Sequence, residues 1–151
     1  MKLIRKILFP VVPIYYLVTW LRNKLYDLGI KKSLSYNFPV ICVGNLSVGG
    51  TGKTPMIEYL IRLLKDDFKV ATLSRGYKRK SKGFQMGNKN ATVDVLGDEP
   101  FQFYSKFKDD IQVAVDSNRN EGITILRSLE DYPEVILLDD AFQHRKVKPG
   151  F

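Results

Sequence analysis

The sequence predicts an α/β fold: a parallel sheet with flanking helices, preceded by an N-terminal helix at a membrane interface. Three observations lead there. Short apolar runs bounded by Pro and Gly alternate with stretches whose apolar residues recur at helical spacing. A glycine-rich stretch, GNLSVGGTGKT at 44–54, falls between the first such run and the first helical stretch. The positive charge is gathered beside the most apolar segment: residues 1–40 carry seven cations against Asp27 alone, +6 of the +8 net charge.

Composition bounds the rest. At 151 residues the chain is one ordinary domain or part of a larger one, and 26% charged residues is too ordinary a composition for general disorder. A single cysteine, Cys42, excludes a disulfide framework and a multi-cysteine metal site. The lone His144 excludes any site built on several histidines. Residues 41–151 carry only +2, whereas a nucleic-acid binder spreads its basic footprint over the folded domain, so no nucleic-acid partner is expected.

Ile7 to Leu21, ILFPVVPIYYLVTWL, is uncharged over fifteen residues. As a helix it spans about 22 Å, short of the roughly 30 Å hydrocarbon core. Pro10 and Pro13 weaken a regular helix. Tyr15, Tyr16 and Trp20 favour the headgroup boundary, with Lys and Arg at both ends. The segment therefore reads as an interfacial anchor on an anionic membrane surface. A signal peptide lacks its small-residue cleavage site here; a core helix is the plainer alternative. Residues 22–38 follow as a helix end and linker.

The remaining elements follow in order. Pro39–Val43 is a buried strand. Ile57, Leu60, Ile61 and Leu64 mark a helix whose first turn tolerates Pro55. Lys69–Leu73 is a second strand, and 75–90 a loop rich in Gly, Lys and Ser. Ala91–Val95 reads as a short strand or hairpin arm, and Glu99–Phe107 as a short helix. Ile111–Val115 is a third core strand. Ser117 is placed to cap a helix carrying Ile123, Leu126 and Leu129. Glu134–Asp140 (EVILLDD) is a fourth strand, ending in two carboxylates.

The glycine-rich stretch has the context of a phosphate-binding P-loop. Backbone N–H groups from Ser47, Val48, Gly49, Gly50, Thr51 and Gly52 can wrap phosphate oxygens, helped by the helix N-terminus. Lys53 reaches the outer phosphates, and the Thr54 hydroxyl serves Mg²⁺. Ser47 stands where the usual Walker A pattern has glycine. Asp139 and Asp140 close an apolar strand as a Walker B acid does, holding Mg²⁺ beside the phosphates. Asp98 and Glu99 are either ordinary helix-start acids or a general base with a metal-side neighbour. Arg75 follows the second strand and can stabilise phosphate charge. Lys78, Arg79, Lys80 and Lys82 are either a solvated loop or contacts to an anionic, phosphorylated substrate or lipid headgroup. His144 fits a supporting hydrogen bond better than a catalytic base. Cys42 reads as a buried residue of the first strand.

GNLSVGGTGKTP at 44–55, LSRGYKRKSKG at 73–83, LGDEP at 96–100, VAVDSNR at 113–119 and LLDDAFQHRKVKPG at 137–150 together resemble the tetraacyldisaccharide 4'-kinases of lipid A biosynthesis. The resemblance covers nearly the whole chain. It implies a P-loop NTPase-like fold and an ATP-dependent kinase that phosphorylates the 4'-hydroxyl of a tetraacyldisaccharide 1-phosphate, with ATP and Mg²⁺ bound. It implies Asp98 as catalytic base, with Lys53 and Arg75 acting on the phosphates. Thr54, Asp139 and Glu99 then lie on the metal side. Ser47 is the family's own variant, while Ala141 stands where the family more often has Gly. Members are more than twice as long, so the chain is expected to be the N-terminal portion. A membrane-associating segment (1–38) then precedes a truncated kinase core (39–151). The expected location is the cytoplasmic face of a bacterial inner membrane, peripheral or monotopic. The competing functions are a membrane-associated P-loop switch ATPase and a non-catalytic fragment.

Overall fold

The computed structural model describes residues 11–44, 52–140, 145–148 and 150. Its contacts divide the chain into two compact units, Met1–Ser33 and Leu34–Phe151.

The first unit holds helix α1, Val11–Asp27. Pro13 sits in its first turn, where no intrahelical N–H is required of it. The helix ends at Gly29, whose φ of +72° supplies the left-handed residue that closes a helix. Ile14, Tyr15, Tyr16, Leu17, Val18, Trp20 and Leu21 are exposed. Among the described residues no helix is long and apolar enough to cross a membrane.

In the second unit, the apolar runs become β1 (Val40–Val43), β2 (Val70–Ser74), β4 (Gln112–Val115) and β5 (Val135–Asp139) of one parallel sheet. A two-residue strand, β3 (Gln85–Met86), adds antiparallel to β4, giving the order β1-β5-β2-β4-β3. Helix α2 (Lys53–Leu64) links β1 to β2, crossing the order in one direction. Helix α5 (Arg119–Ser128) links β4 to β5 and crosses back. Right-handed crossovers in opposite directions put their helices on opposite faces.

The core confirms that division. Val113, Val115, Val135 and Leu137 pack with Ile57 and Ile61 of α2, and with Phe103 and Phe107 of helix α4 (Asp98–Phe107). The alternate residues Ala114, Ile136 and Leu138 pack with Ile123 and Leu126 of α5. A period of two along each strand therefore sorts side chains to two faces. All five residues of β5 are buried, which is why EVILLDD reads as a continuous apolar run rather than an alternating one. α5 comes so close to the sheet that a Cβ on Gly122 would lie 2.9 Å from Leu73 Cδ1. The segment from Leu34 packs here too: Leu34 bridges Val147, and Tyr36 Oη donates to Asn120 Oδ1 at 3.1 Å.

Two local expectations are corrected. Ala91–Val95 is neither strand nor hairpin arm, because Gln85 and Met86 already occupy the edge beside β4. The segment instead coils into the single turn α3 (Val93–Leu96), which buries Leu96. Ser117 does not cap α5. Asn118 holds that position, its N–H donating to Asp116 Oδ1 at 2.8 Å while its side chain reaches Glu121.

Candidate functional site

Parallel strands deliver their carboxyl ends to one edge of the sheet, and ligands bind in crevices at that edge. Because β5 inserts between β1 and β2, its terminal Asp139 pairs in register with Val43, at the end of β1. Asp140 N–H then donates to Val43 O at 3.0 Å. Ser47, Val48, Gly49, Gly50 and Thr51 lie outside the described residues, as do Ala141, Gln143 and His144. The description resumes at Gly52, whose φ of +76° turns the chain into α2, with Lys53 and Thr54 as its first residues.

Lys53 Nζ donates to Asp140 Oδ1 at 2.7 Å. Burial draws the Lys53 pKa down, but that hydrogen bond and the charges of Asp140, Asp139 and Glu99 outweigh it, and the ammonium is held above its ordinary value. Asp140 carries this contact from a φ of +50°, in the left-handed region that Asp tolerates better than most residues. Asp139 is only 4% exposed, and Ser74 Oγ donates to its Oδ2 at 3.4 Å. Burial, then repulsion from Glu99, pushes its pKa from 3.8 up to about 6, with Asp140 adding to the rise and Lys53 and Ser74 opposing it.

Asp98 and Glu99 arrive at the same edge through a pair of glycines. Gly76 has φ +69° and Gly97 φ +91°, both unfavourable for side-chain-bearing residues. A Cβ on Gly97 would stand 2.9 Å from Tyr77 O and 3.2 Å from Gly76 Cα. The turn after β2 and the start of α4 therefore cross with backbone against backbone. The result is a cleft of about 540 Å³ whose lining includes Lys53, Arg75, Asp98, Glu99 and Asp140. Asp98 is exposed and makes no ion pair among the described residues.

So the structure brings Lys53, Arg75, Asp98 and Glu99 to one cleft, with Asp139 buried close by and Thr54 beginning the adjoining helix. Sequence reading missed the Lys53–Asp140 pair, the Ser74 contact and, most of all, Arg119. This arginine is 3% exposed at the start of α5 and donates to Asp116 O at 3.0 Å and Asp139 O at 3.4 Å. Burial and the nearby Arg75 lower its pKa, while Asp139, Asp140 and Asp116 oppose that fall. Its Nε and the Oδ2 of buried Asp116 have no hydrogen-bond partner among the described residues. The available signal was positional: Asp116 and Arg119 follow a strand whose carboxyl end had to reach this edge.

Asp139 yields a pH prediction. Its folded pKa, about 6, lies above the 3.8 of an ordinary aspartate, so the folded state holds the extra proton between those values. As pH rises through that window the fold loses about 3 kcal/mol, because the charged form is the penalised one. Asp139→Asn removes this loss. In divalent-free buffer the variant should melt at least a few degrees higher than the parent at pH 8 and nearly level with it at pH 4. A variant that melts lower at pH 8 would show that the carboxylate stabilises the fold.

Comparison with known proteins adds an independent line. A family model described as tetraacyldisaccharide-1-P 4'-kinase matches residues 4–151. The tetraacyldisaccharide 4'-kinase of Flavobacterium johnsoniae is 65% identical over 151 residues, all of this chain and 44% of the relative. That of Phocaeicola vulgatus is 59% identical over 149 residues, 97% of this chain and 40% of the relative. Among solved structures, a crystal structure of "apo" form LpxK from Aquifex aeolicus in complex with ATP superposes with a TM-score of 0.82 at 44% identity. That match covers 97% of this chain and 47% of the other. The chain thus spans less than half the length of each of these proteins.

Proposed function

From the premise that the chain belongs to the tetraacyldisaccharide-1-P 4'-kinase family, we propose that its cleft is the donor half of a site that transfers the γ-phosphoryl group of ATP to the 4'-hydroxyl of a tetraacyldisaccharide 1-phosphate. The observation that carries this reading is the convergence of Lys53, Asp139, Asp140, Glu99 and Asp98 at the carboxyl edge, where α2 begins.

Lys53 and the loop amides hold the outer phosphates, and Arg75 offsets the charge spread over the transferring group. Asp98 takes the proton of the acceptor hydroxyl as its oxygen bonds to the γ-phosphorus. The bond from that phosphorus to the β–γ bridging oxygen breaks, and ADP leaves with the electron pair. Arg119 fixes the Asp139 end of β5 through its carbonyl contact.

The residues also fit a divalent cation. Asp139 is buried, and its charged form is resisted by Glu99 and Asp140, so local negative charge exceeds what Lys53 neutralises. No three carboxylate, histidine or cysteine groups among the described residues form a cage. Mg²⁺ needs none, since it is held by one or two carboxylates with waters and phosphates. Asp139, Thr54 and Glu99 would hold it, and when bound it would supply charge neutralisation at the phosphate oxygens.

The exposed apolar and aromatic residues of α1, with its flanking cations, support a peripheral position on an anionic membrane, on the ATP-supplied cytoplasmic face. One experiment tests both parts: ADP release by the full-length protein, with and without acceptor. Release should require acceptor. Removing residues 1–33 should slow turnover on acceptor in anionic vesicles far more than on detergent-dispersed acceptor. Acceptor-independent release identifies a switch ATPase instead, and equal slowing in both media removes the membrane role.

A further inference from the structure

The carboxyl end of β4 holds a buried carboxylate that the mechanism leaves without a role. Asp116 directly follows Val115 and is 2% exposed. Its N–H donates to Ser74 O at 2.9 Å, which extends the β2–β4 pairing by one residue. Helix α5 lies close over it: a Cβ on Gly122 would stand 3.1 Å from the Asp116 Cβ.

Hydrogen bonding does not explain why an acid stands here. Asp116 Oδ1 accepts the Asn118 N–H at 2.8 Å, in a turn that an asparagine carbonyl would serve equally well. Oδ2 is buried with no hydrogen-bond partner among the described residues, and neither oxygen makes an ion pair among them. Burying a carboxylate is costly unless its charge has something to act on. Here it acts on guanidiniums from two segments of the carboxyl edge. Arg119, 3% exposed, donates to Asp116 O at 3.0 Å and to Asp139 O at 3.4 Å. Arg79, in the turn after β2, donates to Val115 O at 3.4 Å, the carbonyl just before Asp116. Burial lowers the pKa of both arginines, and Asp116 opposes that fall in each. Arg75 adds to the fall in Arg119, so the cations gathered at this edge repel one another and need a counter-charge.

We infer that Asp116 is a positioning residue for phosphoryl transfer: its buried charge holds Arg79 and Arg119 in place and, through the Arg119 contact, fixes the Asp139 end of β5. The reaction it serves rests on the kinase reading above. Asp116 acts through other residues and touches no substrate.

The test is a double-mutant cycle in the full-length protein, with kcat, KM and thermal melts taken on the same preparations. Asp116→Asn keeps the shape and the Asn118 turn and removes the charge. It should lower kcat about tenfold, the scale of one hydrogen bond to a charged group, with KM for ATP and for acceptor within about twofold of the parent. Arg119→Met should lower kcat as well. Because Asp116 acts through Arg119, the loss in the double variant should fall well short of the product of the two single losses. Losses that multiply overturn the proposal, as does parental kcat in Asp116→Asn. So does a kcat loss that disappears when the variant is assayed well below its melting temperature, since that makes Asp116 a residue of the fold alone. If Asp116→Asn does not fold, the double variant replaces it, because it leaves no Arg119 charge unbalanced. It should fold and match Arg119→Met in kcat, and its failure to fold also overturns the proposal. If the parent transfers no phosphate to the acceptor, the kinase reading fails instead, and the cycle is read by the same criteria on acceptor-independent ADP release.

Discussion

Asp98→Asn is expected to lower kcat of the full-length protein by about 10²- to 10⁴-fold, the range for loss of a general base, with ATP affinity nearly unchanged. A sugar hydroxyl is a weak nucleophile at neutral pH, and its proton must pass to a group at the cleft as the bond to phosphorus forms. Among the described acids, Asp140 is occupied by Lys53, and Asp139 is buried beneath the edge. Glu99 acts electrostatically on both Asp139 and Lys53. Asp98 and Glu99 are both exposed on the cleft wall without an ion pair among the described residues, and between them the family resemblance favours Asp98. Asparagine keeps its shape and the start of α4 while removing the acceptor of the proton. A kcat loss accompanied by collapse of Mg²⁺ or ATP affinity would move Asp98 to the metal side instead.

Lys53→Ala is expected to lower turnover by at least about 100-fold, the scale for removing one preorganised charge-stabilising group, while the fold stands. The second half of that statement follows from exposure. The side chain of Asp140, the partner left behind, is 66% exposed, so losing the pair costs at most about 1 kcal/mol. The chemical consequence is larger, because Lys53 is the ammonium beside Asp139 and Asp140, and its loss leaves the charged form of Asp139 still more resisted. Steady-state kinetics and a thermal melt on the same preparation check both halves. Near-parental turnover would remove the glycine-rich turn from the mechanism.

The sequence points to the two residues for different reasons. Lys53 stands in a local motif whose spacing encodes its geometry, since a strand, a glycine turn and a helix start are consecutive in sequence. Asp98 came from resemblance, because a helix-start acid looks the same whether or not it does chemistry. The four parallel strands were legible as continuous apolar runs, a consequence of burial on both faces. β3 was not: Gln85 and Met86 carry no periodic signal, and their pairing is set by β4, far along the chain. The Gly76–Gly97 crossing, the Lys53–Asp140 pair and the Arg119 contact to Asp139 join residues 20 to 87 positions apart. Nothing local in the sequence says which partner each finds. The basic run 78–82 is the clearest case, since only the fold separates Lys80, paired with Asp94, from Arg79, held by the carbonyls of Gly83 and Val115.

The most direct measurement is where the phosphate goes. The full-length protein is incubated with ATP and the disaccharide 1-phosphate, and the lipid product is examined by ³¹P and ¹H NMR. Phosphoryl transfer at this cleft predicts a second monoester phosphorus coupled to the proton on C4', formed in step with ADP. ADP and inorganic phosphate appearing beside an unmodified acceptor would contradict it.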